Sequence, residues 1–150
     1  MKQIKDFEYY IEKGVIRKKS PDKLRSKDLI KNAEKSYKFL MEVIDKIGLN
    51  DSNINNIITN SYDIIIELIR AKIILDGFSA SGFGAHEAEI SYLKKLHFPE
   101  EEINFANQLR YFRNSITYYG KELDKEYAEK VLNFLKKMYK NLEKLIKNEK

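Results

Sequence analysis

The chain has 150 residues, of which 43% are hydrophobic and 34% charged, with a net charge of +5 and no cysteine. That length suits one domain over residues 1–150, and a chain of this size buries roughly 70% of the surface of its unfolded form. The absence of cysteine removes disulfides, thiolate metal sites and thiol catalysis. The excess of lysine and arginine favours a polyanionic partner without demanding one. The opening residues Met1-Lys2-Gln3-Ile4-Lys5-Asp6 carry no apolar signal-peptide core. No apolar run approaches the length that crosses a bilayer, so a cytoplasmic protein without membrane association is expected.

Helices are predicted along most of the chain. A short one surrounds Phe7, Tyr9, Tyr10 and Ile11, and Gly14 then leads into the basic Arg17-Lys18-Lys19. Ser20 before Pro21 reads as an N-cap followed by proline at the first helical position. The helix that follows carries Ile30, Ala33, Tyr37, Leu40, Ile44 and Ile47 in steps of three and four, and Gly48 ends it. Asp51 or Ser52 is placed to cap the next helix, which holds Tyr62, Ile64, Ile65, Ile66, Leu68, Ile69, Ala71, Ile73, Ile74 and Leu75. It is apolar on most of its circumference, which predicts the most buried element.

Gly77, Gly82 and Gly84 break the pattern. They match neither a dinucleotide fingerprint nor a lysine-bearing phosphate loop. The stretch precedes a helix, so its amides can hold a phosphate; as a plain connection, it has Ser79 and Ser81 as caps. A short helix carries His86, Glu87, Ile90, Leu93 and Leu96. Pro99 opens another, with Glu100, Glu101 and Glu102 at the positive end of its dipole. Its stripe of Ile103, Ala106, Leu109, Phe112 or Arg113, and Ile116 stops at Gly120. Asp124 is placed to cap the last helix, whose Ala128, Val131, Leu135, Met138, Leu142 and Leu145 come close to a heptad seam. That seam can serve both a core and a dimer contact. The predicted class is all-α, with a short extra N-terminal helix.

Chemistry concentrates in Leu109-Arg110-Tyr111-Phe112-Arg113-Asn114-Ser115-Ile116-Thr117-Tyr118-Tyr119-Gly120. Arginine grips phosphate through a planar fork of donors, and tyrosine rings stack on bases. The same residue types also serve as core tyrosines and rim ion pairs. Arg113 and Thr117 share a helix face, and Arg110 lies on the side of Arg113 and Asn114. Tyr118 falls about 140° from Arg113 at about 100° per residue, so it joins Arg113 only if the helix loosens before Gly120. His86, at a helix start, is held neutral by the dipole and serves as a base or as a cap. His97, beside Pro99, reads as structural or exposed. The two histidines lack metal-helix spacing and the carboxylates do not cluster, so no metal and no cofactor is expected.

These residues carry a resemblance to a known family. Together with Glu12-Lys13-Gly14-Val15-Ile16-Arg17-Lys18, Ser20-Pro21-Asp22, Asp76-Gly77-Phe78, His86-Glu87-Ala88-Glu89-Ile90-Ser91-Tyr92-Leu93 and Tyr118-Tyr119-Gly120, the arginine segment resembles the HEPN family (higher eukaryotes and prokaryotes nucleotide-binding), in its archaeal branch. The resemblance implies an antiparallel up-and-down helical bundle that dimerises. Many such proteins are metal-independent endoribonucleases. Others bind nucleotides or partner a minimal nucleotidyltransferase in toxin–antitoxin pairs. The family's active motif is an arginine, usually a polar residue, and a histidine four to six residues beyond the arginine. Arg113 and Asn114 stand at the first two places, and Tyr118 stands where the histidine is expected.

The site implied by the resemblance consists of Arg113, Asn114 and Tyr118, with Arg110, Tyr119, His86 and Glu87 nearby. The first expectation is a homodimeric HEPN-type protein that binds RNA or a nucleotide, as one component of a toxin–antitoxin or defence system. The second is a metal-independent endoribonuclease using Arg113 with Tyr118 or His86. Tyrosine, with a reference pKa near 10, is a poor base at neutral pH. The third is a dimeric helical interaction module in which the polar cluster only knits the core.

Overall fold

A computed structural model describes residues 2–148. Its elements run α1 (Phe7–Glu12), β1 (Ile16–Lys18), α2 (Lys23–Lys46), α3 (Ile54–Leu75), β2 (Phe78–Ala80), α4 (Ala85–Lys95), α5 (Glu100–Tyr119) and α6 (Lys125–Lys147). This is an all-α bundle with one two-stranded ribbon added. Helix α3 is the axis: it packs against α2, α4, α5 and α6. The sequence dictates that place. Ile57, Ile58, Ile65, Leu68, Ile69 and Ile73 point in several directions around the helix, and all are buried, so α3 needs apolar neighbours on most sides. Among the described residues, no helix is long and apolar enough to cross a membrane.

Local chemistry sets the helix ends. Asp22, not Ser20, caps α2 by accepting a hydrogen bond from the Arg25 amide at 3.0 Å. Pro21 therefore lies outside the helix. The cap expected at Asp51 or Ser52 is not formed: Asn53 is the N-cap residue of α3 and makes no side-chain cap hydrogen bond, while Asn50 and Asn53 close the turn before the helix. The Asn50 Oδ1 accepts from the Ser52 and Asn53 amides at 2.8 and 3.1 Å, and the Asn53 Oδ1 accepts from the Asn50 amide at 2.9 Å. Ile47 falls after the last turn of α2 and is exposed, so the buried stripe closes before it. Gly48, Gly120 and Asp124 act as expected. Gly120 takes a left-handed conformation after α5, and the Asp124 carboxylate accepts from the Tyr127 amide at 2.8 Å.

The ribbon is a departure from the helical reading. Residues 16–18 pair antiparallel with residues 78–80, with Arg17 opposite Ser79. Two three-residue strands separated by two long helices leave no periodic trace in sequence. The pairing continues beyond the strands: the Lys19 amide donates to the Gly77 carbonyl at 2.8 Å, and the Ser81 amide donates to Val15 at 3.0 Å. Gly77 makes this approach possible. Its φ is +89°, and a Cβ there would meet the Lys19 carbonyl at 3.0 Å. Phe7 of α1 packs edge-on to Phe78 at 5.2 Å and against Tyr92 of α4 at 4.7 Å, which ties the N-terminal segment to the bundle. Asp76, at the end of α3, accepts from buried Lys72 at 3.0 Å and from the Tyr92 hydroxyl.

Candidate functional site: a tyrosine-centred cluster of charges

The polar face of α3 builds the centre of the site. Asn56, Asn60, Asp63, Glu67 and Arg70 recur every three or four residues and form the exposed or half-exposed edge of an otherwise buried helix. Tyr62, beside this edge, is 1% exposed. Its hydroxyl meets the Nδ1 of His86 at 3.3 Å, and the Arg113 guanidinium lies 5.9 Å from the centre of its ring. Tyr62 thus joins the start of α4 to the second half of α5. The glycine segment before α4 ends in Gly84 at φ +83° and delivers His86, at the second helical position, to the Arg113 side of the bundle.

Arg113 is incompletely satisfied. Its Nη2 pairs with Asp63 at 3.5 Å, and its Nε is buried without a hydrogen-bond partner among the described residues. The Asp63 side chain is 53% exposed, so the pair is open to water on the carboxylate side. Partial burial pushes the Asp63 carboxyl above its usual range, and Arg113 pulls against that shift. Burial also pushes the Tyr62 phenol up, keeping it protonated as a hydrogen-bond partner for His86.

Arg110 is differently placed. Its Nε and Nη2 bond the Oδ1 of Asn107 at 3.2 and 3.0 Å, and its Nη1 lies 3.7 Å from Glu87. Asn107 in turn donates to the Lys2 carbonyl at 2.7 Å. The side chain is 12% exposed. Arg110 and Glu87 therefore hold α5 to α4, and their charges are already engaged with each other. Asn114 is half-buried one residue beyond Arg113. Tyr118 and Tyr119 do not join this cluster. Helix α5 stays regular through Tyr119, so Tyr118 keeps its place about 140° from Arg113, and the two rings are 69% and 85% exposed.

Two residues without a sequence assignment complete the cluster. Arg70 donates from Nε and Nη2 to the two oxygens of Glu89 at 2.6 and 3.0 Å, a bidentate pair in which Glu89 is 1% exposed. Glu89 and Arg70 both act electrostatically on His86. A signal for Asp63 and Arg70 exists in the sequence: the polar stripe Asn56, Asn60, Asp63, Glu67 and Arg70 on a largely apolar helix. Among the described residues, no three histidine, aspartate or glutamate side chains are grouped to hold a metal ion. No family model, curated protein or solved structure matches this chain.

His86 carries a pH-dependent consequence. Burial, first, holds its imidazole below the ordinary 6.5, with Glu89 opposing and Arg70 and Arg113 reinforcing the shift. The direction is that expected from the helix dipole, but burial is the main cause. Since the folded form binds its proton less readily than the unfolded chain, the His86 contribution to stability is complete above about pH 6.5. It is lost as pH falls from there through the lower folded value. A ring-proton NMR titration should place the His86 midpoint below 6.5, and His86→Gln should flatten the stability slope on the acid side. A midpoint above 6.5 would contradict the burial argument.

Proposed function

We propose that this chain is a HEPN-type nucleotide- or RNA-binding protein in which Arg113 holds a ligand phosphate and Asn114 adds a hydrogen bond. One observation carries the reading: Arg113 has a fork that is only partly engaged, against a tyrosine that also positions a neutral imidazole. Arg110, by contrast, has two donors on Asn107 and an ion pair with Glu87 in a largely buried setting, which leaves it less free for a ligand. Arg113 has a carboxylate partner that water can take over. Tyr118 and Tyr119, exposed at the end of the same helix but off the face of Arg113, offer rings for stacking bases of a longer bound chain.

The neutral state of His86 favours a second reading, a metal-independent endoribonuclease. RNA cleavage of that kind needs the 2′-hydroxyl deprotonated and the charge on the phosphorane stabilised. His86 would take the proton and Arg113 would meet the charge. Tyr118 has no part in this version. Incubating a labelled RNA with the protein in a metal chelator separates the readings. Cleavage abolished by His86→Ala would establish the nuclease, and retention without cleavage would leave the binding protein. RNA or nucleotide affinity insensitive to salt would remove both, because phosphate contacts displace counterions.

The proposal includes a homodimer, which the family resemblance suggests. An apolar groove between α2 and α6, with Leu24 78% exposed at its edge, supplies a surface for a second copy. Light scattering at micromolar concentration and physiological salt should return twice the chain mass; the chain mass itself would remove the dimer. A minimal nucleotidyltransferase in a toxin–antitoxin or defence pair is the partner the resemblance adds to this reading.

A further inference from the structure

We propose that the cavity under the β1–β2 ribbon binds a phosphomonoester, the terminal phosphate of a ligand no larger than a nucleotide or of a chain end. The cavity measures about 370 Å³ and lies away from Arg113, between the ribbon, the start of α2 and the last turns of α3. Four cations from three segments line it: Arg17 in β1 and Lys19 just after it, Arg25 in the first turn of α2 and Arg70 in α3. The one carboxylate in the lining, Asp22, is committed to capping the Arg25 amide. Arg70 is neutralised by Glu89, so the lining carries two net positive charges (Arg17, Lys19 and Arg25 less Asp22), which suits a dianion.

Arg17, Lys19 and Arg25 have no ion-pair partner among the described residues. Unpaired like charges around one cavity repel each other, and a bound anion removes that repulsion. Two of them, Arg17 and Lys19, sit on backbone that is held in place. The backbone of residues 15–19 is fastened to residues 77–81 by the ribbon and by the Lys19–Gly77 and Ser81–Val15 hydrogen bonds. The glycine segment and the basic segment, far apart in sequence, are therefore two sides of one site.

Ser79 and Ser81 add hydroxyls, while Ile73 and Phe78 supply an apolar wall. Polar groups converging beside such a wall fit a ligand with a charged end and an uncharged body. The volume is at the lower end of small-ligand sites, roughly 300–1,000 Å³. It admits an end rather than a running strand. By contrast, the cavity beside Asp63 is lined by that carboxylate and Glu67 and has no cation in its lining.

The test is calorimetric titration of the full chain with AMP, adenosine and a short oligoribonucleotide with and without a 5′-phosphate. AMP should bind at least tenfold tighter than adenosine if the ligand is a free nucleotide. The phosphorylated oligonucleotide should exceed its 5′-hydroxyl form by a similar factor if it is an RNA end. The Arg17→Gln, Arg25→Gln double variant should lose the 5′-phosphate preference, whereas Arg113→Ala should lower the affinity for both oligonucleotides and leave their ratio unchanged, so this site and the Arg113 reading fail separately. Amide shifts at Arg17, Lys19, Ser79 and Ser81 on adding inorganic phosphate to the wild-type protein give a readout that needs no variant. Equal binding of phosphorylated and unphosphorylated partners, or phosphate shifts confined to other residues, would overturn the proposal.

Discussion

Arg70→Ala is expected to lower stability by about 3–5 kcal/mol, the usual loss when one member of a buried ion pair is removed. Its partner explains the size. Glu89 is 1% exposed and receives both of its strong hydrogen bonds from Arg70, at 2.6 and 3.0 Å. Removing the guanidinium leaves a carboxylate with neither partner nor water. For a chain of this length, the shift in melting temperature is on the order of 10 °C, at roughly 2–4 °C per kcal/mol. Glu89→Gln should cost less, because Arg70 is 33% exposed and can rehydrate. The Arg70→Met, Glu89→Leu double variant should also cost less than Arg70→Ala, since it strands no charge. Thermal denaturation of the three variants checks the order. A loss below about 1 kcal/mol for Arg70→Ala would mean that Glu89 finds water or another donor. Since Arg70 helps hold His86 neutral, the His86 midpoint should rise in the same variant.

The helical frame was legible from residues 1–150 because it rests on short-range patterns. The isoleucine-rich helix from Ile54 to Leu75 is buried nearly all round, as its composition demands. Asp124 and Gly120 sit at helix ends where their side-chain and backbone chemistry require them. The errors have local causes. A serine before proline and an aspartate two residues later compete for the same N-terminus, and the aspartate won because its carboxylate reaches the Arg25 amide. The ribbon was missed because its strands pair across α2 and α3. In the candidate cluster, Arg113 and His86 stand out by residue type. The roles of Tyr62, Asp63, Arg70 and Glu89 depend on which helices meet, and only packing decides that. Arg110 and Arg113, three residues apart, look alike in sequence. In the fold one is turned to Asn107 and Glu87, and the other to Asp63 and Tyr62.

That difference sets the last expectation. Arg113→Ala should weaken RNA or nucleotide binding by about ten- to a hundredfold, the equivalent of roughly 1.5–3 kcal/mol for a charge-assisted hydrogen bond to phosphate. Its melting temperature should stay close to wild type. Asp63 is half-exposed, so losing Arg113 leaves it hydrated rather than stranded, and a pair open to water contributes about 0–1 kcal/mol. The contact with Tyr62, at 5.9 Å, adds a similar amount at most. Arg110→Ala should behave in the opposite way, losing stability because Glu87 and Asn107 lose a largely buried partner. Arg113→Lys refines the result: it keeps the charge but not the planar fork, and should recover only part of the affinity. If Arg113→Ala folds well and binds as tightly as wild type, the phosphate role is wrong. If it melts several degrees lower, Arg113 is a structural ion and the interaction-module reading gains. Tyr118→His completes the set by restoring a histidine at the expected motif position. On a helix that stays regular through Tyr119, that histidine points away from Arg113, so the substitution should add no chelator-resistant cleavage. Cleavage that did appear would mean that the end of α5 unwinds when RNA binds.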